Sequence, residues 1–110
     1  MPEHHGADDG HAPSPLLALA ANAARTITIK LGSAVALAPL YHPVRFAEEC
    51  AILDILSNGR IEMAVAVGYR RSEAEAYGTD FFSRGRHGRV SRDRKRALHR
   101  GNVLLCVSFR

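Results

Sequence analysis

The 110-residue sequence predicts an α/β fold organised on one parallel βαβ unit, and three observations carry that reading. An apolar run ending near Leu37 is followed by a segment that opens with His42-Pro43 and closes with Asn58-Gly59. A second apolar run, Ile61 to Val67, then ends at Gly68. Near-continuous apolar runs suit strands buried on both faces, as in parallel sheets. Strand, crossover helix and strand in that order require a parallel pair with a right-handed connection. With 46% hydrophobic residues, a chain of this length buries one modest core, so it forms one domain or part of one.

Each element has a local cause. Residues 1–15 combine Gly6, Gly10, Pro2, Pro13 and Pro15 with polar residues, which is loop chemistry. Ser14-Pro15 supplies an N-cap and an N1 proline, and LLALAANAAR consists largely of strong helix formers, so a helix is expected from Pro15 to Arg25. Its alanines suit close packing on a sheet. Ile27, Thr28, Ile29, Leu31 and Val35 predict a strand over residues 28–36, stopped by Ala38-Pro39 because proline cannot donate to a ladder. The second helix begins at Pro43, places Val44, Ala47, Ala51 and Ile55 on one stripe with Phe46, Cys50 and Leu53 beside it, and closes at Asn58-Gly59. Ser72 to Tyr77 is expected to form a short helical turn after the second strand.

Charge divides the chain. Residues 84–110 hold nine of the fifteen Lys and Arg against the single acid Asp93, a net of +8, while residues 1–83 carry six cations and ten acids, a net of −4. The basic stretch lacks apolar periodicity, and NVLLCVSF at residues 102–109 forms a strand only if it finds a partner; a tail without stable structure is expected from residue 87. Cys50 and Cys106 match no metal or redox spacing and read as reduced thiols. No apolar run reaches membrane-spanning length and the first 15 residues lack the order of a secretory signal, so a soluble cytoplasmic protein is expected.

Ligands of parallel α/β sheets bind beyond the C-terminal ends of the strands. Three places qualify: Glu3-His4-His5 before the first helix, Gly32 to Pro39, and Val67 to Arg71. Small residues at Gly32, Ser33, Ala34 and Ala36 let a flat ring approach the backbone, although tight packing alone would select the same residues. His4 and His5 titrate near neutrality and suit general acid–base work, or simply a solvated loop. His11 does not complete a convincing three-ligand set with them, so no metal is expected. Arg70 and Arg71 form either a phosphate clamp or an exposed basic pair.

EHH at residues 3–5, HPVRFAEECAILDILSNGR from His42 to Arg60, GYR at 68–70 and EAYG at 75–78 together resemble the luciferase-like monooxygenase family, over about Glu3 to Arg86. The resemblance implies a fragment of a (β/α)8 TIM barrel, about helix 2 to strand 4, in a flavin-dependent oxidoreductase. Such enzymes use reduced FMN, or in some members a deazaflavin coenzyme, usually with oxygen, on aldehydes, alkanes, sulfonates or related small organic substrates. A flavin reductase and a second copy of the chain are the partners it implies. By position His4 corresponds to the proton-transfer histidine. Ala34, Val35 and Ala36 correspond to the strand end under the isoalloxazine, often built with a non-prolyl cis peptide, and Gly68 and Tyr69 complete the cofactor-binding set.

Departures accompany the match. Val67 stands where some flavin-binding relatives place an arginine, which removes a phosphate contact. A closed barrel needs about 250 residues, so the resemblance implies that the isolated chain lacks catalysis, with a tail that reads as a frameshifted or unrelated continuation. A reading from another class assigns residues 84–110 to sequence-indifferent nucleic-acid binding. It is the weaker one, because Phe109 is the tail's only aromatic and no recognition motif is present.

Overall fold

The computed structural model describes residues 1–83 and the backbone of a strand at 103–108; residues 84–102 and 109–110, which carry the charges of the alternative nucleic-acid reading, lie outside the described residues. The elements run α1 (Pro15–Arg25), β1 (Leu31–Leu37), a 3-10 turn (Ala38–Leu40), α2 (Pro43–Ser57), β2 (Ile61–Ala66), α3 (Arg71–Ala76) and β3 (Val103–Ser108). The order is that of a mixed α/β unit. β1 and β2 pair in parallel from Leu31↔Ile61 to Leu37↔Ala66, joined through α2. β3 lies antiparallel on the other side of β2, giving the sheet order β1-β2-β3. The 102–109 run, expected to be a strand only with a partner, finds it in the free edge of β2, so the expectation of an unstructured tail does not extend to these six residues.

α1 has the expected bounds and buries Leu16, Leu19 and Ala23, one helical stripe, on the sheet. The core adds Leu31 and Ala36 from β1, Cys50 and Leu53 from α2, and Ile61, Met63 and Val65 from β2. Burial of a side chain such as Ile61 or Met63 contributes roughly 1.5–3 kcal/mol. β1 begins three residues later than the composition predicts. Residues 26–30 stay outside the ladder, with Ile27 89% exposed, and the carbonyls of Thr26 and Ile29 are taken by Arg60 rather than by a neighbouring strand.

α2 spans the expected segment and ends on Asn58 in the left-handed conformation, φ 56°. Its buried stripe is not the expected one. Phe46, Cys50, Leu53 and Ser57 face the core, whereas Val44 and Ile55 are exposed. The helix is apolar on two sides, so spacing alone does not select the inward face.

β1 carries a bulge: Ala34 pairs with Ala64 and Ala36 with Val65, leaving Val35 as the extra residue, and the Ala34–Val35 peptide is cis. β1 and β2 approach closely at Gly32, where a Cβ would fall 2.3 Å from the Glu62 carbonyl oxygen. The other edge of β1 is occupied by the first residues of the chain. The Met1 amine donates to the Gly32 carbonyl at 2.7 Å, and Ala34 N donates to the Met1 carbonyl at 2.7 Å. Residues 1–3 therefore run beside β1 and deliver His4 and His5 to its C-terminal end. No helix among the described residues is long and apolar enough to cross a membrane.

Candidate active site

Two of the three segments singled out from the sequence meet at the C-terminal ends of β1 and β2, and the third is β1's own end. Glu3 is 2% exposed and its carboxylate collects three donors. Leu37 N reaches Oε2 at 2.7 Å, and the Tyr41 hydroxyl and His5 Nε2 reach Oε1 at 2.8 Å each. Three hydrogen bonds satisfy a buried carboxylate that would otherwise be costly. Burial, and next the Glu3 charge, push the Tyr41 phenol far above its ordinary range. His5 also presents Nδ1 to the Tyr77 hydroxyl at 2.9 Å, and its backbone N–H donates to buried Glu73 at 3.0 Å. The same two influences, in the same order, raise the Tyr77 phenol.

His4 faces the other way. Its Nδ1 lies 2.5 Å from Asp9 Oδ2, its ring meets His11 edge-on at 4.8 Å between centroids, and Tyr69 packs edge-on at 6.0 Å. The hydrogen bond with His4 holds the Asp9 carboxyl well below the usual carboxylate range. Arg70 caps the group, 3.2 Å from the same carboxylate and 5.7 Å over the Tyr69 ring. His4, Asp9 and His11 bring ligand-type atoms within 4.8 Å of one another. The guanidinium already neutralises their only carboxylate, so the cluster reads as an ion-pair set. Arg70 is thereby the basic residue that the site recruits, while Arg71 pairs with Glu75 on α3.

The residues expected beneath a ring divide by exposure. Ala34 is open and Val35 half-buried, but Ala36 is completely buried, backbone included, and presents no surface to a ligand. Gly68 has φ +75°, which turns the chain sharply out of β2, and Tyr69 is 61% exposed beside His4. A shallow depression lined by Leu37, Pro39, Val67, Gly68, Arg70 and Phe81 lies at this end of the sheet. Ala34 presents the small exposed face that a planar ring requires, whereas the Leu37 side chain packs over Gly68. Among the described residues, Arg70 is the cation at hand for a phosphate.

Sequence reasoning placed Glu3 in the first candidate segment without giving it a role, and missed Tyr41, Glu73 and Tyr77 as members of the site, since these act through partners remote in the chain. It also missed Arg60, which is 8% exposed and pins the opposite end of the unit. Cys50 is a buried thiol pushed up to about 11, by burial first.

A model of the luciferase-like monooxygenase family matches residues 1–96, and the chain belongs to that family. Among relatives, it is 42% identical over 78 residues to the uncharacterized protein y4vJ of Sinorhizobium fredii, covering 71% of this chain and 22% of that one. It is 39% identical over 85 residues to the oxygenase component of the flavin-dependent trigonelline monooxygenase of Acinetobacter baylyi, covering 76% and 24%. Among solved structures it superimposes on the monooxygenase RslO1 from Streptomyces bottropensis with a TM-score of 0.74 at 29% identity, covering 78% of this chain and 26% of that one. The chain thus spans about a quarter of the length of these relatives.

Proposed function

We propose that these residues form the helix-2 to strand-4 portion of a (β/α)8 barrel in a cytoplasmic flavin-dependent monooxygenase, and that they carry the ring-binding part of its active site. The observation that carries the reading is the convergence of His4 with Tyr69, 6.0 Å between ring centroids, at the C-terminal end of the strand bearing Ala34 to Ala36. His4 is the proton-transfer residue, its imidazole held by Asp9. Ala34 and Val35 support the flavin ring, with Gly68 and Tyr69 at its rim. A reduced flavin, when bound, supplies the electrons with which such enzymes activate oxygen. FMN is the preferred form and a deazaflavin the alternative. The relative that is named an oxygenase component supports a separate reductase as partner, and a second copy of the chain is a further one. Val67 leaves the phosphate without an arginine from that position, so this portion holds the ring and does not complete catalysis by itself.

Titration of the full chain with FMN, riboflavin and a deazaflavin, followed by flavin fluorescence, tests this. Saturable binding is expected, with FMN and riboflavin within about threefold of each other because the ring rather than the phosphate is held, and with no turnover of an alkanal. Ala34→Trp, which fills the open shelf, is expected to abolish binding. Absence of saturable binding for every flavin overturns the assignment, and turnover overturns the claim of incompleteness.

A further inference from the structure

The residues on either side of His4 are fixed by two buried carboxylates from opposite directions. Glu3 is tied to the end of β1 through Leu37 N and to Tyr41, whereas the backbone N–H of His5 is tied to Glu73 of α3. The His5 ring bridges the two regions, with Nε2 on Glu3 and Nδ1 on Tyr77. Side chains 3 and 5 thus point inward and side chain 4 outward, toward Asp9, His11 and Tyr69. An acceptor-only carboxylate on Nε2 requires the Nε2–H, so neutral His5 is the tautomer that accepts from the Tyr77 hydroxyl.

We propose that Glu3 and His5 are the positioning residues of this site: the Tyr41–Glu3–His5–Tyr77 chain locks the backbone at residues 3–5 and so aims the His4 imidazole at Asp9 and the Tyr69 rim. The inference rests on the reading of His4 as the proton-transfer group. It gives the other two members of the Glu-His-His motif a defined task, with no ligand contact of their own. The groups facing His5 are Glu3, Tyr77 and, through the backbone, Glu73. Those facing His4 are Asp9, His11 and Tyr69, with Arg70 behind Asp9.

NMR of the full chain with 15N-labelled imidazoles separates this from a role in packing alone. In the parent chain the neutral His5 ring should show protonated Nε2 and unprotonated Nδ1; the opposite tautomer overturns the relay. Glu3→Gln replaces a charge-assisted bond with a neutral one and should shift the His5 tautomer ratio away from Nε2–H. If Glu3 positions His4, the same change weakens the His4–Tyr69 ring cross-peak at least twofold. An unchanged His4–Tyr69 cross-peak in Glu3→Gln would overturn the proposal. Should that variant not fold, His5→Phe retains the backbone bond to Glu73 and is expected to produce the same changes at His4, with the same overturning result. Failure of the parent chain to bind any flavin, with the His5 pattern intact, counts against the flavin assignment alone.

Discussion

Removing the Arg60 side chain tests what closes the N-terminal end of the βαβ unit. Its guanidinium is buried, has no carboxylate partner among the described residues and donates five hydrogen bonds. Nε reaches the Ser57 carbonyl at 2.6 Å, and Nη1 reaches Thr26 Oγ1 and the Ile29 carbonyl at 2.9 Å each. Nη2 reaches the carbonyls of Ala23 at 3.1 Å and Thr26 at 2.9 Å. Ala23 and Ser57 lie in the last turns of α1 and α2, where unpaired carbonyls and the negative ends of both helix dipoles favour a cation. One side chain therefore caps two helices and holds the 26–30 connection in place. In Arg60→Ala the outer carbonyls regain water, but about two remain enclosed, at about 1–3 kcal/mol each. With the lost packing of the aliphatic stem, the destabilisation is about 3–5 kcal/mol, a large part of what a small domain possesses. Arg60→Lys retains the charge but not the planar fork and should lose about half as much. Urea unfolding followed by circular dichroism measures both. A loss below 1 kcal/mol for Arg60→Ala, or equal losses for the two variants, would refute the double-cap account.

Three further outcomes follow from other contacts. Gly32→Ala forces a Cβ to within 2.3 Å of the Glu62 carbonyl oxygen, so β1 and β2 must separate; a loss of about 2–3 kcal/mol in urea unfolding is expected. Asp9 has its carboxyl depressed chiefly by the His4 hydrogen bond; its contribution is therefore present above its ordinary value of 3.8 and disappears as pH falls below it. Thermal melts of the parent chain should decline between pH 4 and pH 2 more steeply than those of Asp9→Asn. Asn58 occupies a left-handed position, φ 56°, so Asn58→Gly should be neutral to slightly stabilising while Asn58→Val costs about 1–2 kcal/mol, read from the same unfolding curves.

Local signals in the sequence were enough to place most elements. Proline at N1 of both long helices and Asn58-Gly59 at the end of α2 act over a few residues, and the helix bounds followed from them. Two features depended on distant partners and were not legible. The start of β1 is displaced because Arg60, some thirty residues downstream, captures the carbonyls of Thr26 and Ile29. The inward face of α2 is set by α1 and the sheet, and with Ile52, Ile55 and Leu56 on the other side its own pattern offers two candidate faces. Likewise β3 needed the edge of β2, which composition alone does not supply.

The candidate site divides along the same line. His4 and the Ala34–Ala36 strand end were reached from the expected strand order, and a resemblance attached to contiguous motifs gave them their roles, so neither step required a long-range contact. What holds them is assembled across sequence separations of 34 residues for Glu3–Leu37, 38 for Glu3–Tyr41, 68 for His5–Glu73 and 72 for His5–Tyr77. These contacts exist only once β1 and α3 bring their ends to the same edge. A carboxylate accepting three donors cannot move without abandoning at least one of them, and each loss is costly in a buried setting. The site is therefore specified by the fold's C-terminal rim as a whole, and the local motif decides only which imidazole is left facing outward.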